Sequence, residues 1–191
     1  MLNKTIAILE CSRIFSLPMT ILSWLVIFTY SAVDSGNIIY GIVAFIGLCF
    51  AHLGTNLIDD FFDYKFLIKQ VGFDKSEYLK HSQKTKCRYL INGIMKESQL
   101  LGLALSYFGV AFLCGLFLFF KCGIGVAYFA LVGAIIAVFY PLLSRICLSE
   151  LAVALAYGPA LFGGVYYVMT GTYSYEIFIL SIPSSSTIPT E

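Results

Sequence analysis

Five apolar windows, each about as long as a bilayer-spanning helix, occupy most of this chain and leave little else to build a fold from. They run over 14–33, 37–58, 99–120, 124–143 and 149–170. A hydrocarbon core of about 30 Å takes about 20 helical residues, so each window is predicted to cross it once. The predicted fold is all-α, a multi-pass transmembrane helical bundle of five complete helices. Composition points the same way, with 59% of residues hydrophobic and 12% charged, where water-soluble domains carry about a quarter charged. That balance excludes a disordered chain, a nucleic-acid-binding module and an ordinary soluble domain. A sixth helix is predicted to begin near Tyr173 and to stop after about nine residues, because Pro183, Pro189 and the serines between them do not continue a spanning helix.

The formal net charge is only +1, so any electrostatic signal lies in its distribution. With the N-terminus inside, Lys4, Arg13, Lys65, Lys69, Lys75, Lys80, Lys84, Lys86, Arg88, Lys96 and Arg145 all fall on the cytoplasmic side, and only Lys121 falls outside. The long polar loop 59–98 is therefore expected to be cytoplasmic, in a protein of the inner (cytoplasmic) membrane. Glu10 and Arg13 interrupt the early apolar run, so the first helix reads as retained rather than as a cleaved signal. The six cysteines form no C-x-x-C pair and read as small buried hydrophobes.

The second window gains polar residues as it reaches the cytoplasmic surface: His52, Asn56, Asp59, Asp60 and Asp63. On a helix these positions fall within about 100° of arc and form one polar face. Leu57, Ile58, Phe61 and Phe62 lie opposite, suited to lipid or to neighbouring helices. Acids crowded on one face repel one another, and the helix C-terminus also disfavours negative charge, so something cationic must compensate. Mg²⁺ suits such oxygen ligands, and lysines of the following loop are the competing answer. Lys80, His81, Lys84, Lys86 and Arg88 supply positive charge just beyond the stripe. Alone they would anchor topology or attract anionic lipid; beside the acids they complete the parts needed to grip a diphosphate.

The motifs N-L-I-D-D-F-F-D-Y (56–64), R-Y-L-I-N-G-I-M (88–95), Y-P-L-L-S-R (140–145) and L-S-E-L-A-V (148–153), with Y-G-P (157–159) and G-V-Y-Y-V-M-T-G (164–171), are similar to those of the UbiA superfamily of intramembrane aromatic prenyltransferases. The last of these, L-S-E-L-A-V with the two motifs that follow it, most resembles the branch acting on 1,4-dihydroxy-2-naphthoate in menaquinone synthesis. The resemblance implies Mg²⁺-dependent transfer of a prenyl group from a polyprenyl diphosphate to an aromatic quinone precursor. It implies metal ligation by Asn56, Asp59, Asp60 and Asp63, with Asn56 also binding substrate. Lys84, Lys86, Arg88 and Arg145 would neutralise the leaving diphosphate, Tyr140 would face the allylic cation, and Glu150 would lie near the aromatic acceptor.

The match has departures. Asp59 stands where the family usually has Asn, Leu67 where the longer motif has an acid, and Ser149 where it has Gly. Family members resemble a nine-helix bundle whose second aspartate-rich motif follows the sixth helix, and the polar tail 184–191 begins before it. Residues 1–183 thus read as an incomplete prenyltransferase-like domain, expected to be inactive alone. The alternative is a non-catalytic membrane fragment, or a protein that binds lipid diphosphate without turning it over. In either case the bilayer is the partner, and association with a second copy would cover helix faces left unpaired.

Overall fold

The computed structural model describes residues 8, 11–70, 74, 87–143 and 148–186, and among them it is entirely helical. A single 3₁₀ turn, Ile14–Ser16, leads into α1, Leu17–Val33, which has Pro18 in its first turn, where a missing N–H costs nothing. A short loop then reverses the chain into α2, Ile38–Leu67. Asn37 caps α2 by accepting from the backbone N–H groups of Ile39 at 3.0 Å and Tyr40 at 3.2 Å. The short helix α3, Arg88–Ile91, precedes α4, Glu97–Cys122, and α5, Gly125–Leu143. The last predicted window is split into α6, Ser149–Leu155, and α7, Leu161–Thr170; α8 is Tyr175–Ser186.

Among the described residues, four helical stretches are long and apolar enough to cross a membrane: Ile14–Val33, Ile38–Leu67, Glu97–Cys122 and Glu150–Thr170. The fourth predicted window is helical too, although its apolar stretch, Gly125–Tyr140, is shorter than the other four. At 30 residues, α2 is about 45 Å long and outruns the hydrocarbon core, which puts its last turns in the polar interface. Side chains such as Leu105, Phe112, Leu113, Phe120, Leu131 and Val138 are exposed on the bundle surface, as suits a lipid solvent.

Two features depart from the sequence expectation. The fifth window is not one regular helix: a π-helical turn, Ala156–Ala160, interrupts it, with Gly158 at φ −87°, ψ −108° just before Pro159. Proline lacks an N–H and crowds the preceding turn, and glycine allows the backbone to absorb the misfit. The sixth helix does not stop after about nine residues but runs for 12, Tyr175–Ser186, through Pro183 and the serines that follow it. Pro183 lies within the last turn, where it costs a single backbone hydrogen bond rather than the whole helix.

Packing gathers into two cores. One, at the end where α2 begins, contains Ile27, Ala44, Leu118, Val126, Phe162, Val165, Met169 and Ile177. The other, at the end where α2 finishes, contains Cys11, Leu57, Cys87, Tyr89, Leu90, Ile91, Met95, Leu100 and Ala104. α1 and α2 approach closely at Gly41, where an added Cβ would meet the Phe28 ring and Met169 Sδ at 2.7 Å. The Gly41 carbonyl also accepts from Trp24 Nε1 at 3.0 Å. Gly41→Val should therefore destabilise the detergent-solubilised protein by about 1–3 kcal/mol in thermal unfolding. Gly133→Ala, on an exposed face of α5 with nothing within 4 Å, should be neutral or slightly stabilising.

Candidate functional site

α1 and α2 run antiparallel, so the residues just before α1 lie beside the end of α2. That antiparallel pairing sets Arg13 against the acid stripe. Asp59 and Asp60 are 0% and 2% exposed, and a buried carboxylate is tolerable only when its charge is balanced. The Arg13 guanidinium balances both, donating to Asp59 Oδ2 at 3.2 Å and to Asp60 Oδ1. Asp60 Oδ2 accepts from the Tyr89 hydroxyl at 2.5 Å. The Cys87 thiol donates to the Asp60 carbonyl at 3.1 Å.

Electrostatics follow from this geometry. Burial alone would lower the pKa of Arg13, but Asp60 and Asp59 outweigh it and hold the guanidinium above its ordinary value. Burial, reinforced by the Asp60 carboxylate, pushes the Tyr89 phenol well up, so it remains a donor. Burial also pushes the Cys11 thiol up to about 11.

Arg13 and Cys87, which flank the acid pair, both adopt left-handed backbone conformations, with φ of 49° and 62°. Such strain costs about 1–3 kcal/mol at a non-glycine residue and persists only where the surroundings enforce it.

A second polar network braces the first. Ser16 Oγ donates to the Arg13 carbonyl at 2.7 Å, which commits its proton. The contacts from His52 Nε2 at 2.6 Å and Asn56 Nδ2 at 3.3 Å are then both donated to Ser16 Oγ. His52 Nδ1 is left to accept, and it meets the Thr20 hydroxyl at 2.9 Å and the hydroxyl of Tyr157. Tyr157 belongs to the π-helical turn. The chain of contacts therefore runs from the break in the last span, through α2, to the backbone of Arg13. Asn56 also donates to the Ser12 carbonyl at 3.3 Å.

Of the residues singled out from the sequence, Asn56, Asp59 and Asp60 come together here, and the half-buried Asp63 follows one turn later on α2. Tyr140, half-buried near the end of α5, lies close enough to Arg13 and Tyr157 to influence both electrostatically. Arg88 opens α3 and is exposed, as is Glu150 in the first turn of α6. Lys84, Lys86 and Arg145 lie outside the described residues. Leu57, expected on the far side of the stripe, is fully buried between helices, while Phe62 is exposed. The partners of His52 come from the 3₁₀ turn, α1 and the π-helical turn.

Sequence reading missed Arg13 as the compensating cation, together with Tyr89, Tyr157, Ser16 of the 3₁₀ turn and Thr20 of α1. Two signals were present: the hairpin places the residue before the first span beside the end of the second, and Ser16, Thr20, Ser23, Ile27 and Ser31 share one helical face. In this arrangement the acids do not form an open oxygen cage for Mg²⁺. Both Asp60 oxygens are engaged by Arg13 and Tyr89, and no group of three or more His, Cys, Asp or Glu among the described residues is set to hold a metal ion.

If the guanidinium neutralises the buried pair, Arg13→Met should cost about 3–5 kcal/mol in thermal unfolding, and Tyr89→Phe about 1–3 kcal/mol. Because the folded Tyr89 pKa is raised, its stabilisation is complete below pH 10.0 and declines as pH climbs above that value, where the unfolded phenol ionises. Stability of Tyr89→Phe measured above pH 10.0 should fall less steeply than that of the parent chain.

The model of the UbiA prenyltransferase family matches residues 16–190, nearly the whole chain, and the chain belongs to that family. The family acts on prenyl diphosphates within membranes and generally uses divalent metal ions. No curated protein and no solved structure matches the chain.

Proposed function

We propose that this UbiA-family chain transfers a prenyl group from a polyprenyl diphosphate to an aromatic quinone precursor, 1,4-dihydroxy-2-naphthoate, at the cytoplasmic face of a cell's inner membrane. The observation that carries the reading is the buried acid pair and its guanidinium, placed where a long span leaves the hydrocarbon core. A lipid diphosphate has the same division, with an apolar tail for the bundle and an anionic head for the interface. The lysine-rich loop 59–98, with Lys84, Lys86 and Arg88, and Arg145 from the next loop, supplies cations for that head. Their accumulation at this end supports a cytoplasmic N-terminus and loop.

The chemistry asks for positioning, charge stabilisation and exclusion of water. The bond between the allylic carbon and the diphosphate oxygen breaks, and its electron pair leaves with the diphosphate. Lys84, Lys86, Arg88 and Arg145 stabilise the charge developing there, which is usually the largest catalytic contribution. The ring of Tyr140 faces the allylic cation, an attraction of about 0.5–2 kcal/mol. A ring carbon of the acceptor then forms the new carbon–carbon bond, and the ring regains its electrons by releasing its carboxylate as CO₂. Glu150 lies on the side of the acceptor. Asn56 and Asp63 orient the head group beside the acid pair.

The test is prenyl transfer in proteoliposomes, using a radiolabelled prenyl diphosphate and the naphthoate acceptor. Asp63→Asn and Asp60→Asn should each lower turnover by about 100-fold or more. Turnover unaffected by either substitution would sink the assignment. Retention of the labelled lipid without transfer would make the chain a lipid-diphosphate-binding protein instead.

A further inference from the structure

At the end of the bundle where α2 begins, the last turns of α1 and the start of α8 border a groove of about 660 Å³. That size is within the range of about 300–1,000 Å³ that holds a small organic group. Val26, Val33 and Leu180 make its apolar wall, and all three are exposed. In a chain that crosses a bilayer such a wall is covered by lipid, so what the groove can select is the head group.

The polar wall is negative. Asp34, the C-cap of α1, and Glu176, in the first turn of α8, both line the groove and are exposed to it. The Tyr166 hydroxyl donates to Asp34 Oδ2 at 2.6 Å, and the Tyr30 hydroxyl donates to Glu176 Oε2 at 3.5 Å. One oxygen of each carboxylate remains to accept from a ligand. None of the ion pairs among the described residues involves either acid. The dipole of α8 favours Glu176, but that of α1 disfavours Asp34, so its own helix does not account for the second charge. The rings of Tyr30 and Tyr166, with centroids 6.2 Å apart, line the same groove and offer π faces to a cation. Ser174 Oγ accepts from the Glu176 N–H at 3.2 Å and keeps its own proton to donate.

We propose that this groove seats one phospholipid with a primary-ammonium head group, of the phosphatidylethanolamine type. The N–H donors of the ammonium go to Asp34 and Glu176, the phosphate accepts the Ser174 proton, and an acyl chain follows Leu180 and Val26 towards the bilayer interior. A quaternary ammonium offers no N–H, and an anionic head meets two like charges, so both are poorer occupants. A free amine has no chain to cover the apolar wall. The bound lipid ties the end of α1 to the start of α8. The seat lies at the opposite end of the bundle from Asp59 and Asp60 and is independent of the prenyl-transfer reading.

The experiment uses the full chain in phosphatidylcholine nanodiscs doped with a phosphatidylethanolamine that carries a diazirine on its acyl chain. After irradiation, mass spectrometry maps the adducts. The same diazirine on phosphatidylcholine and on phosphatidylglycerol, at equal mole fraction, supplies the comparison. The ethanolamine lipid should label segments 22–34 and 174–180 about fivefold more than either of the others. The α4 surface at Leu105 and Phe112, which is exposed, should be labelled equally by all three. Asp34→Asn combined with Glu176→Gln keeps an acceptor for each tyrosine, removes both charges, and should bring the ratio down to about one. The three-lipid comparison on the unmodified chain decides the matter should that variant fail to fold.

Equal labelling of the groove by the three lipids would overturn the proposal, as would a preference for phosphatidylglycerol. A preference that survives in the double variant would show that the carboxylates do not select the head group, and would sink it too. Competition by free ethanolamine as strong as that by unlabelled phosphatidylethanolamine would make the groove a site for soluble amines instead. Protection of both segments from every lipid would mean that a second copy of the chain covers them, and the lipid seat would fail.

Discussion

Two carboxylates removed from water at the edge of a bilayer make the contact of Arg13 with Asp59 and Asp60 the constraint on which this end of the bundle depends. It dictates that the segment before α1 fold back onto the end of α2. It places Tyr89, and hence α3, against the second oxygen of Asp60. It also requires the surrounding core of Leu57, Leu90, Ile91 and Leu100 to exclude water, since a guanidinium bound loosely in solvent would contribute little. The ion pair between Lys65 and Glu97 joins α2 to α4 nearby, but both side chains are substantially exposed and its share in holding the helices together is small.

A different balance holds deeper in the bundle. Within the hydrocarbon, the polar side chains of α1 have no water to turn to and must find one another or a backbone carbonyl. Thr20 and Ser16 meet His52, Ser31 donates to the Ile27 carbonyl at 2.8 Å, and Tyr157 reaches in from the broken last span. The π-helical turn is placed so that an aromatic hydroxyl arrives where α1 and α2 each present a polar group. A regular helix through 149–170 would carry Tyr157 on a different bearing, so the irregular backbone and the network are one arrangement.

The fold class was legible because hydrophobic length is a local property: each window declares its own helix, and the stripe from Asn56 to Asp63 declares its own face. The helical continuation through Pro183 and the break at Gly158 were not legible, because both turn on how much backbone misfit neighbouring turns absorb. At the site, the sequence predicted that the acids must be compensated but placed the compensation in a metal or in the loop lysines. Arg13 escaped because it lies 46 residues from Asp59, and only the hairpin geometry brings them together. Tyr89 sat inside a recognised motif, yet nothing in its spacing says that its hydroxyl rather than its ring matters.

The close approach of α1 and α2 at Gly41 has an optical side. Trp24 is the only tryptophan in the chain, and it is wedged between Phe28 and Phe45, with ring centroids 4.4 Å from each, while its N–H is tied to the Gly41 carbonyl. Its emission therefore comes from one place, with one hydrogen bond and one pair of aromatic neighbours. The protein carries an intrinsic fluorophore at the seam between its first two spans, and a slide of one past the other would be written directly into the colour and lifetime of that single indole.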